Sequence, residues 1–89
     1  MKKRNPKNQI GDHTHLSNLR IGQKGKVLSL LVEDRSLRRK LLDMGITEGV
    51  QIKIKKIAPL GDPVDIALRG YELCIRRTDL SMIMVEVIS

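Results

Sequence analysis

Four glycines, Gly45, Gly49, Gly61 and Gly70, set the corners of the stretch from Leu41 to Arg77 and constrain this chain more than any other feature. Each stands where the apolar periodicity changes, which is where a left-handed backbone or a tight reversal favours a residue without Cβ. A helix end, a strand, a loop and a hairpin follow one another between them. That spacing predicts a small closed β-structure.

The elements follow from the residues between the corners. Asp34 can accept from backbone N–H groups two or three residues on, so it predicts an N-cap for a helix over Arg35 to Met44, with Leu37, Leu41 and Met44 on one face. Gly45 then closes the last turn, and Ile46 folds back as its apolar contact. From Val50 the period becomes two: Val50, Ile52 and Ile54 point one way, Gln51, Lys53 and Lys55 the other. Lys56 and Ile57 break the phase, which predicts a bulge or the strand's end. The loop Ala58 to Pro63, A-P-L-G-D-P, holds two prolines and a glycine, and is expected to be rigid. Val64, Ile66 and Leu68 resume the inward phase, Arg69-Gly70 turns the chain, and Tyr71, Leu73 and Ile75 return antiparallel. Thr78 and Asp79 cap a short turn before a strand from Met82 to Val87, with Ile83, Val85 and Val87 inward and Met82, Met84 and Glu86 on the opposite face.

Upstream, Leu16, Leu19 and Ile21 predict a short helical turn leading to a first strand over Lys26 to Val32. Its register is open, because Leu28, Leu30 and Val32 compete with Val27 and Leu31. Residues 1–15 lack apolar periodicity and read as a basic flexible tail, leaving 16–89 as one domain. The whole is mainly β: a small, SH3-like, partly open barrel of about five strands with one inserted α-helix. A ferredoxin-like sandwich is the structural rival, and it wants a second long helix.

Composition narrows the function. With no Phe, no Trp and one Tyr, the core must be aliphatic. The lone Cys74 fits a reducing compartment, and no apolar run approaches the roughly 20 residues that a membrane-spanning helix needs, so a cytoplasmic protein is expected. The net charge of +7 invites a nucleic-acid reading, but residues 1–15 carry +3 of it and the remaining chain has thirteen bases against nine acids. The basic groups Arg35, Arg38, Arg39, Lys40, Lys53, Lys55, Arg69, Arg76 and Arg77 could track a phosphate backbone; a nucleic-acid module is the alternative function. One tyrosine cannot supply the stacking platforms that single-strand binders use.

Enzymatic chemistry is not expected. Both histidines, His13 and His15, lie in the expected tail, leaving no base near Cys74, and no phosphate-cradling glycine loop is present. No cofactor is required. His13, His15 and Cys74 are the candidate ligands for a metal ion, although a tight site takes three or four ligands from rigid elements. Apolar and polar groups displaced from the core phase instead predict a protein-contact or self-association surface, with Leu42, Leu60, Asp62, Arg69, Tyr71, Met82 and Met84 as its candidates.

The same residues carry a family pattern. Leu41, Met44, Gly45, Ile46 and Gly49 form an L-x-x-M-G-I-x-x-G passage, Ala58 to Pro63 the A-P-L-G-D-P loop, and Arg69 to Arg77 an R-G-Y-x-L-x-I-R-R hairpin. In this order they resemble the ferrous iron transport protein A family, FeoA, from about Leu16 to Val87. The resemblance implies an SH3-like accessory or regulator in the cytosol, whose partner is the GTP-binding domain of a ferrous iron permease and which meets the membrane only through that permease. It also implies kinship with the SH3-like domain of iron-dependent repressors, hence a metal-sensing alternative, with weak Fe2+ or Zn2+ binding expected at His13, His15 or Cys74.

Overall fold

The structure, a computed structural model, describes residues 9–89. Six antiparallel strands form one sheet in the order β1-β6-β2-β3-β4-β5: β1 His13–His15, β2 Lys24–Leu30, β3 Gln51–Ile57, β4 Val64–Leu68, β5 Tyr71–Ile75 and β6 Ile83–Val87. A helix α1, Arg35–Asp43, joins β2 to β3, and a four-residue helix α2, Arg77–Leu80, precedes β6. The mainly β architecture with one principal helix is as expected, with six strands rather than five.

The additional strand corrects the tail boundary. His13, Thr14 and His15 pair with Glu86, Val85 and Met84, so part of the expected tail belongs to the sheet. The reason is Thr14, which turns inward and is buried while the two histidines point out; Asn18 Nδ2 donates to its hydroxyl at 2.8 Å. One polar residue between two histidines shows no apolar alternation, so the strand was invisible to hydrophobic periodicity. Lys2, Lys3, Arg4 and Lys7 lie outside the described residues.

The competing registers of β2 have a physical cause. Val27 pairs with Val85, but the next pair to β6 is Ser29 with Met84, so Leu28 is an extra residue that shifts the phase. Val27 is buried before that bulge, and Leu30 packs against the core after it. A second bulge falls between Ile54 and Lys56 in the β3–β4 ladder, one step before the expected break, and β3 continues to Ile57.

The helix ends as its sequence predicts. Asp34 Oδ1 accepts from the Ser36 and Leu37 N–H groups at 2.8 and 3.2 Å. At the other end Gly45 has φ +94°, its N–H donates to Leu42 C=O at 2.9 Å, and the Ile46 N–H donates to Leu41 C=O at 3.1 Å. These two bonds are those of a Schellman closure, and Leu41 and Ile46 meet beneath it, both fully buried. The hydrophobic core is entirely aliphatic, drawn from every long strand together with Leu16, Leu19, Val32, Leu41, Ile46, Val50 and Leu80. No helix among the described residues is long and apolar enough to cross a membrane.

Candidate partner-docking site

The β4–β5 hairpin is built to hold the end of α1. Arg69 and Gly70 both have positive φ, 51° and 86°, which lets a two-residue turn follow the twist of its strands. From that turn Arg69 Nε donates to Gly45 C=O at 3.3 Å and Nη2 donates to Thr47 Oγ1 at 2.9 Å, while the Tyr71 hydroxyl donates to Met44 C=O. A helix C-terminus carries partial negative charge on its free carbonyls, so a guanidinium and a phenol donor placed there stabilise it. Arg69 and Tyr71, expected on a contact surface, therefore have an internal role, although both remain exposed and Leu42, 41% exposed, shares this end of the helix.

The loop between β3 and β4 is tied at three points. Gly61 N–H donates to Ala58 C=O at 2.7 Å, Ala58 N–H donates to Pro63 C=O at 3.1 Å, and Asp62 Oδ1 accepts from Arg77 N–H at 2.8 Å. That last bond caps α2 from a distant loop, in place of the Thr78 and Asp79 cap expected from sequence. Asp62 thus positions the loop, and Leu60 stands at its tip 97% exposed.

These candidates do not form one patch. Leu60 lies beyond the Val64–Ile75 end of the β4–β5 ladder and Tyr71 lies at the other end, about 13 Å along the strands. Met82 lies just before β6 and is packed against the core, which removes it from the outward face expected for it. Met84 does face away from Ile83 and Val85 and is half-buried, between His15 on β1 and Ser29 on β2.

The metal candidates are separated as well. His13 and His15 are on β1 and Cys74 is on β5, at opposite ends of the strand order. Among the described residues no group of three or more His, Cys, Asp or Glu side chains is close enough to hold a metal ion. His15 Nδ1 lies 2.6 Å from Ser81 C=O; a carbonyl only accepts, so Nδ1 donates in this contact. Cys74 faces Asp65 directly across the ladder, and its thiol is held above the ordinary range, chiefly by donating to the Asp65 carboxylate, then by desolvation and by the negative charges of Asp65 and Asp62. Thiolate is the nucleophile and the ligand form, so this environment suppresses both roles at neutral pH. Asp65→Asn is expected to lower that pKa and speed alkylation of Cys74 by iodoacetamide several-fold at pH 7; an unchanged rate would contradict the assignment.

The structure adds Lys24 to the basic groups expected from the sequence. Lys24 pairs directly with Lys53, and Lys26 with Gln51, on the outer face of β2 and β3. A first strand starting at Lys26 excludes Lys24, whereas β2 begins at Lys24. The available signal was K-G-K-V, in which the buried Gly25 takes an inward position between two outward lysines.

The molecule so built is a small SH3-like domain that presents stiff loops and a charged sheet face. The FeoA domain family model matches residues 14–87, and the chain belongs to that family. It is 37% identical over 75 residues to an Fe(2+) transport protein A/Fe(2+) transporter FeoB fusion protein of Porphyromonas gingivalis, covering 83% of this chain but 9% of that protein. Its fold is similar to the solution structure of a FeoA-like protein from Clostridium acetobutylicum, with TM-score 0.79, 40% identity, and 86% and 88% of the two chains covered. It is also similar to the zinc complex of Stenotrophomonas maltophilia FeoA, described as a prokaryotic SH3 domain protein, with TM-score 0.69, 20% identity, and 80% and 87% covered; at that identity the likeness concerns the fold alone.

Proposed function

We propose that this chain is a non-catalytic, cytoplasmic accessory protein of ferrous iron uptake, acting by contact with the GTP-binding domain of a ferrous iron permease. The observation that carries this reading is the fusion relative, in which a domain like this one is covalently joined to a ferrous iron transporter. A covalent link of that kind raises the local concentration of a binding module to about the millimolar range, which benefits a contact too weak to persist between free chains. The tied β3–β4 loop supports the same reading, since Leu60 is presented on backbone already ordered and binding costs correspondingly less.

Weak Fe2+ or Zn2+ binding, as a secondary property, is assigned to His13 and His15 and not to Cys74. Two imidazoles on alternate positions of an exposed strand make a low-affinity chelate, whereas Cys74 is held protonated.

Calorimetric titration of the full chain against the permease's soluble GTP-binding domain, with and without guanine nucleotide, tests the reading. Saturable one-to-one binding is expected, together with much weaker binding of a single-stranded oligonucleotide that fades as salt rises. Tight oligonucleotide binding and no affinity for the domain would overturn it in favour of the nucleic-acid alternative.

A further inference from the structure

The outer face of β2 and β3 carries an arrangement that the fold does not need. Residues directly opposite in an antiparallel pair share a face with Cβ atoms about 5 Å apart, and like charges placed so are destabilising. Lys24 and Lys53 are such a pair. Beside them is an open depression of about 410 Å³, lined by Lys24, Gln51, Lys53 and Arg69 over Val50, Ala67 and Leu68, with no carboxylate in its lining. Among the described residues neither lysine has an ion-pair partner, and Arg69 keeps Nη1 free of the bonds that Nε and Nη2 make to the helix end.

We propose that this depression is the docking site for a short acidic segment of a partner protein, one that places two or three carboxylates over Lys24, Lys53 and Arg69. The proposal rests on the reading of the chain as a protein-contact module and specifies the chemistry of the contact. Charge complementarity supplies the attraction, Gln51 offers an amide to a peptide backbone, and the apolar floor accepts the methylenes of glutamate side chains. The borders select the occupant. Glu86 faces Lys26 from β6, and Glu72 lies beyond Ala67 on β5, so the cationic strip is closed by an acid on either side. A nucleic-acid backbone running across the sheet would meet both carboxylates, whereas a segment of a few residues fits between them.

The test is a fluorescence anisotropy titration of the full chain with labelled hexaglutamate, and with an oligothymidylate of equal charge. Lys24→Gln/Lys53→Gln is compared with the helix-face control Arg39→Gln/Lys40→Gln, which removes the same charge elsewhere. The sheet variant relieves a like-charge pair, so its folding is not endangered. Expected is at least a tenfold loss of hexaglutamate affinity in the sheet variant, less than twofold in the control, and weaker binding of the oligonucleotide. Equal losses in the two variants would reduce the site to general electrostatics, and tighter oligonucleotide binding dependent on Lys24 and Lys53 would give the face to nucleic acid; either overturns the proposal. The same variants titrated against the permease's GTP-binding domain separate the two readings. If the wild type binds that domain and the sheet variant binds it equally well, the docking site is wrong and the proposed function stands. If the wild type does not bind it, the proposed function is wrong, and the hexaglutamate series still decides the site.

Discussion

Gly25→Val is expected to destabilise the domain by about 3 kcal/mol, near the upper end of what overpacking a core costs. Gly25 is buried in β2, and a Cβ there would lie 2.7 Å from Val85 Cγ2, 2.8 Å from Val85 Cβ and 3.1 Å from Leu19 Cδ1. The Val85 Cβ is attached directly to the backbone of β6, the strand paired with β2, so it cannot swing aside as a side-chain tip would. The extra methyls of valine worsen the collision. A domain of this length has a total stability of about 4 to 13 kcal/mol, so the loss is a large fraction of it. Urea denaturation should show the midpoint falling with the slope unchanged. A midpoint at or above that of the wild type would mean that the two strands are not held as closely as described.

Leu41→Ala should cost a similar amount, about 3 kcal/mol, by leaving a cavity where the helix meets the sheet. Leu41 is fully buried, its carbonyl accepts the Ile46 N–H that closes α1, and it stands one turn from the carbonyls that Tyr71 and Arg69 hold. The adjacent Leu42 is 41% exposed, and Leu42→Ala should stay within about 1 kcal/mol. Because Tyr71 is the chain's one aromatic residue, its fluorescence reports on the helix end during the same urea titration. Equal effects of the two leucines would contradict the orientation of α1 on the sheet.

What was legible in the sequence, and what was not, divides along physical lines. The helix ends were readable because Asp34 and Gly45 act on neighbours within a few residues, and β3, β4 and β6 because their alternation is uninterrupted or broken only once. β1 was hidden because its inward residue is a threonine satisfied by Asn18, a contact that periodicity cannot see. The phase of β2 was hidden by the bulge at Leu28, and Lys24 was lost with it. The internal bonds of Arg69, Tyr71 and Asp62 span 15 to 27 residues, so groups that looked available for a partner were already engaged by the fold. Leu60, 97% exposed, is the most exposed of the apolar residues expected at the contact.

If contact with the permease is the function, the severity of a contact defect must depend on how the two proteins are joined. Leu60→Glu places a charge at the tip of the tied loop without touching the core, so folding should be unaffected while affinity for the GTP-binding domain falls. The deciding measurement is ferrous iron uptake by cells expressing the permease, with this chain supplied either separately or tethered to it by a flexible linker. Wild-type chain should support uptake both ways, and Leu60→Glu should fail as a free chain and recover when tethered, since tethering restores occupancy of a weakened contact. Full uptake with free Leu60→Glu, in cells where that variant no longer binds the permease, would show that the chain serves iron transport by some route other than docking.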